Sequence, residues 1–148
     1  MRVRGEVLVP APLAATWDAL ADLASHVEWM ADADTITFTS EQHRGVGTTF
    51  ECLTKVGPLT TRDRMTVTDW VDEARMAVAH TGIVTGTGVF ELATHGPDST
   101  LVAWTEDLRF PWYLGGTIGS FVAKPVLRRI WRGNLRRFAY HVEQRYQK

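Results

Sequence analysis

Cysteine is nearly missing: Cys52 is the single one in 148 residues. That excludes an internal disulfide framework and a cysteine-based zinc cluster, and one buried thiol fits a cytoplasmic protein. Strong charge of either sign is missing too. A formal net charge of −1 gives no global field that would favour DNA or a membrane. Long apolar runs are absent: the longest, Phe110 to Ala123, falls short of the roughly 20 residues a membrane-spanning helix needs. No cationic segment followed by an apolar run opens the chain, so no secretory signal is expected. Internal repeats and low-complexity stretches are likewise lacking.

Catalytic signatures are equally scarce. The five histidines (His26, His43, His80, His95, His141) show no ligand spacing, so no metal site is expected, and no cofactor. There is no Gly-x-Ser-x-Gly elbow, and Cys52 has no partner visible in the sequence. Gly82-Ile-Val-Thr-Gly-Thr-Gly88 is glycine-rich but lacks the Lys-Ser/Thr of one phosphate loop and the helix that follows the other. It reads as a hairpin.

What is present is a core-forming chain: 45% hydrophobic and 22% charged, at a length suited to one domain, residues 1–148. Val3 to Val9 alternates as a strand and stops at Pro10-Ala-Pro12. Leu13 to Leu23 places Leu13, Trp17, Leu20 and Ala24 at helical spacing, and a short second helix is expected over Ser25 to Met30. Six strands should follow: Ile36–Ser40, Thr48–Val56, Leu59–Trp70, Ala74–Thr81, Thr85–Ala93 and Thr100–Phe110. Their short, regular spacing predicts a continuous antiparallel meander.

The last stretch, Thr117 to Tyr146, predicts one long helix. Leu127, Trp131, Leu135, Phe138 and Val142 share a face, Asn134 and His141 sit at its edge, and Arg128, Arg129, Arg132 and Arg136 lie opposite. Pro125 should mark a kink or the true first turn. The fold class is therefore α+β: a curled antiparallel sheet of about seven strands, two short helices and a long C-terminal helix over a cavity.

Four landmarks carry a family resemblance: Val9-Pro-Ala-Pro12 followed by Thr16-Trp17-Asp18-Ala19-Leu20; Asp22-Leu23 with Trp29; Gly45-Val-Gly-Thr-Thr-Phe50; and Ser99-Thr-Leu-Val-Ala-Trp104, followed by Gly115 and the basic helix. On these the chain resembles the helix-grip, START-like superfamily (the SRPBCC, Bet v 1-like group), in its polyketide cyclase/dehydrase and lipid-transport branch. The resemblance implies an apolar cavity between helix and sheet that holds a hydrophobic small molecule such as a lipid or polyketide. Some members cyclise and dehydrate polyketides there; others only bind. The scaffold itself does not choose between these.

Strand parity supplies candidates. Phe50, Met65, Met76, Val78, Phe90, Trp104 and Leu108 should face the helix, together with the polar Asp63, His80 and Glu106. Trp131, Asn134 and Phe138 from the helix complete the expected lining, with Phe121 along it and Trp29 and Tyr113 at the mouth. The simpler reading of Asp63, His80 and Glu106 is polar residues near strand ends satisfied by neighbours. The sharper one is an acid/base set: a carboxylate raised by an apolar wall, or a neutral His, takes a proton from carbon. Arg62, Arg64, Tyr113, His26 or Trp29 would then hold the carbonyl oxygen. The family's aromatic-polyketide cyclases rely on a cavity Arg and Tyr. Here the arginines of the Leu59–Trp70 strand fall on the outward parity, and the second-helix region has no tyrosine.

The arginine stripe has two readings as well. It is a solvated helix face, or it docks an acyl carrier protein or an anionic surface through Arg128, Arg132 and Arg136. It could also pair with the acidic Asp18–Asp34 segment of a second copy. A regulatory protein, like the toxin-like or coenzyme-Q-binding relatives of the superfamily, would use the same stripe.

Overall fold

A computed structural model describes residues 1–147. Seven antiparallel strands form one sheet: β1 (Arg2–Val9), β2 (Ala33–Phe38), β3 (Thr49–Val56), β4 (Leu59–Val71), β5 (Arg75–Thr81), β6 (Thr85–Thr94) and β7 (Thr100–Arg109). The order across the sheet is β1-β7-β6-β5-β4-β3-β2. The meander thus runs from β2 to β7, and the first strand closes against the last with Val3 opposite Glu106. Helix α1 (Leu13–Ala21) and a 3₁₀ segment (Leu23–Glu28) bridge the two sheet edges. Helix α2 (Gly116–Gln147) ends the chain. This is the helix-grip arrangement that the family resemblance implies.

The expected second helix, Ser25–Met30, is instead the 3₁₀ segment. Its tight turn lets Ser25 Oγ donate to the Asp22 carbonyl at 2.7 Å. Strand β2 begins three residues before the expected Ile36, and its register shifts between Ala33 and Thr35. A second irregularity, between Val67 and Asp69 of β4, brings Trp70 onto Trp17 edge-to-face at 5.3 Å.

Helix α2 crosses the sheet. It starts just after the end of β7, through Gly115 and Gly116 at positive φ, and its later part packs chiefly against β1. Gly5 of β1 allows that approach, since a Cβ there would lie 2.9 Å from Leu135 Cδ1. Pro125 falls in the third turn, not the first. It removes the hydrogen bond to the Phe121 carbonyl on a side of the helix that faces solvent, where that loss costs least.

The core is concentrated under the second half of α2. Leu135, Phe138 and Val142 pack with Trp17, Leu20, Trp29, Phe90, Val102 and Trp104. Trp29 and Phe138 are both sealed from solvent, with ring centroids 4.8 Å apart. Truncating Phe138 to Ala there would cost about 3–5 kcal/mol. Asn134, expected at the edge of the apolar face, is fully buried. It accepts from the Ala31 N–H at 2.9 Å and donates to Asp32 at 2.8 Å, tying α2 to the start of β2.

Candidate functional site

The polar candidates converge on one face of the sheet. Met65 of β4 lies opposite His80 of β5, His80 opposite Gly86 of β6, and Gly88 opposite Glu106 of β7. These positions lie towards the sheet end where α2 begins. In the first half of that helix Ser120 is buried and Ala123, Lys124 and Leu127 are half-buried, whereas the buried face from Trp131 onward is bulky.

His80 Nε2–H donates to Glu106 Oε2 at 3.0 Å, and both side chains are almost wholly enclosed, 12% and 11% exposed. Trp104 Nε1–H donates to the other oxygen of the same carboxylate at 3.0 Å. Glu106 is therefore held at both oxygens. Nearby, Asp63 Oδ2 accepts from Thr54 Oγ1 at 3.0 Å and Thr61 Oγ1 at 3.4 Å. Each carboxylate lies against a glycine. A Cβ at Gly88 would collide with Glu106 Oε1, and one at Gly82 with Asp63 Oδ1. The Gly82–Gly88 stretch forms the β5–β6 hairpin expected from sequence, and its Gly82 and Gly88 also make room for the two acids.

Burial alone would depress the His80 imidazolium. The Glu106 hydrogen bond and charge, the Asp63 charge and the Val84 carbonyl outweigh it, so the pKa is raised above 6.5. The shift is towards the imidazolium. Such a group donates to a carbonyl or hydroxyl oxygen rather than taking a proton from carbon. Burial pushes the Cys52 thiol up to about 11; its Thr54 hydrogen bond opposes this, and Asp32 and Asp63 add to it. That is an inert thiol, not a nucleophile.

The apolar candidates divide. Phe90 stacks on Trp104 at 4.8 Å, and Trp131 meets Trp104 edge-on at 5.7 Å. Phe50 and Leu108 are buried and Met65 and Val78 half-buried on the same sheet face. Met76, Phe138 and Asn134 are sealed inside the core. Trp29, expected at the mouth, is core as well, with its indole N–H buried and without a protein acceptor among the described residues. His26 is also interior, donating from Nε2 to the Leu20 carbonyl at 2.7 Å. Tyr113 and Phe121 turn outward and are exposed. Arg62 and Arg64 point away from the helix, Arg62 towards Glu51 at 3.7 Å. Two grooves flank α2 on the outside: one beside Glu28, His141 and Arg145, the other along Arg128, Arg132 and Arg136. Neither is lined by Asp63, His80 or Glu106. Among the described residues no group of three or more metal-ligating side chains is gathered.

The family model described as "Polyketide cyclase / dehydrase and lipid transport" matches residues 1–147. The chain belongs to this family. Solved structures agree on the polyketide cyclase-like fold. The Zhui aromatase/cyclase from Streptomyces sp. R1128 superposes with a TM-score of 0.82 at 18% identity, covering 99% of this chain and 95% of that one. A START superfamily protein from Mycobacterium smegmatis gives 0.70 at 15% identity, over 97% and 95%. A point mutant of norcoclaurine synthase from Thalictrum flavum, in complex with a transition-state analogue, gives 0.73 at 14% identity, over 99% and 96%. A search of curated proteins found no significant match. At these identities the structural likeness carries the fold, and the site must be argued from this chain's own residues.

Proposed function

We propose that this polyketide cyclase-like domain binds a hydrophobic small molecule, lipid or polyketide-like, between the first half of α2 and the sheet. One observation carries the reading: a hydrogen-bonded His80–Glu106–Trp104 set is enclosed on the sheet face, towards the sheet end where α2 begins. Trp104, Met65 and Val78 would meet the apolar body of the ligand. Its polar end would lie towards Asp63, His80 and Glu106. That end holds two acidic side chains and one histidine, and the neighbouring arginines, Arg62 and Arg64, face outward. Such a site disfavours a carboxylate ligand and suits one that brings a hydroxyl or amine donor.

The His80–Glu106 pair also supports a second reading, a cyclase or dehydratase. An imidazolium backed by a carboxylate would polarise a ligand carbonyl, and the second carboxylate, Asp63, would serve as base. Native mass spectrometry of the purified chain, with release under denaturing conditions, tests the primary reading. A retained neutral lipid or polyketide-like mass is expected. Retention only of organic anions, or loss of none of it on Trp104→Ala, would remove the reading.

A further inference from the structure

The outward face of α2 is apolar in its first half and cationic in its second. At 3.6 residues per turn, Ile118, Phe121, Val122 and Val126 fall within an arc of about 140°. Arg129, Arg132 and Arg136 continue the same arc. All four apolar side chains are exposed, Phe121 at 80% and Ile118 at 77%. Trp112, 86% exposed, and Tyr113 precede them. From Leu108 to Val142 there is no Asp or Glu, against seven Lys and Arg. Arg128, Arg129, Arg132 and Arg136 are exposed and make no ion pair among the described residues.

A merely solvated helix face would not place Ile, Phe and two Val outward in register with the charges. We infer that this face docks on the surface of an anionic phospholipid bilayer, with Trp112, Ile118, Phe121 and Val122 entering the headgroup–acyl boundary and the arginines meeting lipid phosphates. The mixture of aromatic, aliphatic and arginine side chains on one convex helix is what a planar interface accepts. The helix lies on the bilayer and does not cross it, since among the described residues no helix is long and apolar enough to span. A second copy of the chain suits the arginines poorly. Of the acids at the start of the chain, Asp22 already meets Arg145 at 3.1 Å, Asp34 meets Lys55 at 3.5 Å, Glu28 meets His141 at 3.5 Å and Asp32 accepts from Asn134 at 2.8 Å. The inference stands whether or not the interior binds a ligand.

Vesicle co-sedimentation of the whole chain tests it, with phosphatidylcholine vesicles against 3:1 phosphatidylcholine–phosphatidylglycerol at low and high salt. Binding is expected to the anionic vesicles alone and to fall with salt. Arg132→Ala should weaken it about fivefold. Phe121→Ser should weaken it at every salt concentration, and both sites are exposed enough for circular dichroism to verify an intact fold. Equal binding to both vesicle types, binding to neither, or indifference to Arg132→Glu with Arg136→Glu would overturn the inference. A stable dimer in sedimentation equilibrium that Phe121→Ser dissolves would do so as well, by assigning the face to a second copy.

Discussion

Replacing Glu106 with Gln isolates the charge in the buried pair. The glutamine oxygen still accepts from Trp104 Nε1–H, so packing and one hydrogen bond survive. What disappears is the charge opposite the His80 imidazolium, 3.0 Å away in a site where both side chains are nearly enclosed. Hydrogen bonds to charged groups contribute about 1.5–3 kcal/mol, and little of that is screened here. A loss of about 2 kcal/mol should lower Tm by about 4–8 °C in a domain of this size. The pH dependence gives the sharper test. The folded pKa of His80 lies above its unfolded value of 6.5. The stabilisation is therefore fully present below pH 6.5 and is lost as pH rises through the folded pKa. Urea denaturation at pH 6 and pH 9 should show the gap between wild type and Glu106→Gln shrinking at the higher pH. A gap that is constant or widens would refute the assignment of a protonated His80 to Glu106.

The other histidine in the interior should behave in the opposite sense. Burial brings His26 down to about 4; the Leu20 carbonyl and Asp22 work against this, and His141 adds to it. The unfolded chain then takes a proton first, so stability present above pH 6.5 falls by about 3 kcal/mol as pH drops to 4. His26→Gln, which keeps a donor for Leu20, should remove that slope in denaturation curves; parallel curves would contradict it. Gly88→Ala should push the Glu106 carboxylate off Trp104 and change the Trp104 fluorescence, whereas at Gly86 a Cβ meets the Asp107 backbone carbonyl and Ala should destabilise the fold outright. Asn134→Ala should cost about 2–4 kcal/mol by leaving Ala31 N–H and Asp32 without their buried partner, measured by thermal denaturation; a cost under 0.5 kcal/mol would show that water replaces it.

Much of the architecture can be read from residue order, because strand alternation and helical spacing are local properties. The meander, the long helix and the inward parity of Asp63, His80 and Glu106 all rest on that, and β3 to β7 pair in the register that brings them together. Hydrogen-bond partners are a different matter. That Trp104 and His80 share one carboxylate depends on rotamers and on the absence of a Cβ at Gly88, and glycine-rich spacing by itself suggests only a hairpin. Asn134 shows the same limit. A polar residue at the edge of an apolar stripe becomes core when a distant segment, Ala31-Asp32, supplies its partners. Trp29 differs from expectation because it packs on Phe90, Trp104 and Phe138 in the core, and Tyr113 because it lies on the exposed 3₁₀ turn Trp112–Leu114 that precedes Gly115 and Gly116 at positive φ. Phe121 differs too: the Leu127–Val142 stripe sets the buried face of α2, and Phe121, expected along the lining, falls outward with Ile118 and Val122.

The central claim is that a hydrophobic ligand with a hydrogen-bond donor sits against the His80–Glu106 pair. Nuclear magnetic resonance of the imidazole nitrogens, recorded as N-phenyl-1-naphthylamine is titrated into the protein, addresses it directly. The His80 signals should move in a saturable way, with those of His43 and His95 unchanged, and the shift should be lost in Trp104→Ala. Saturable binding that leaves the His80 signals still would place the hydrophobic site elsewhere and contradict the account.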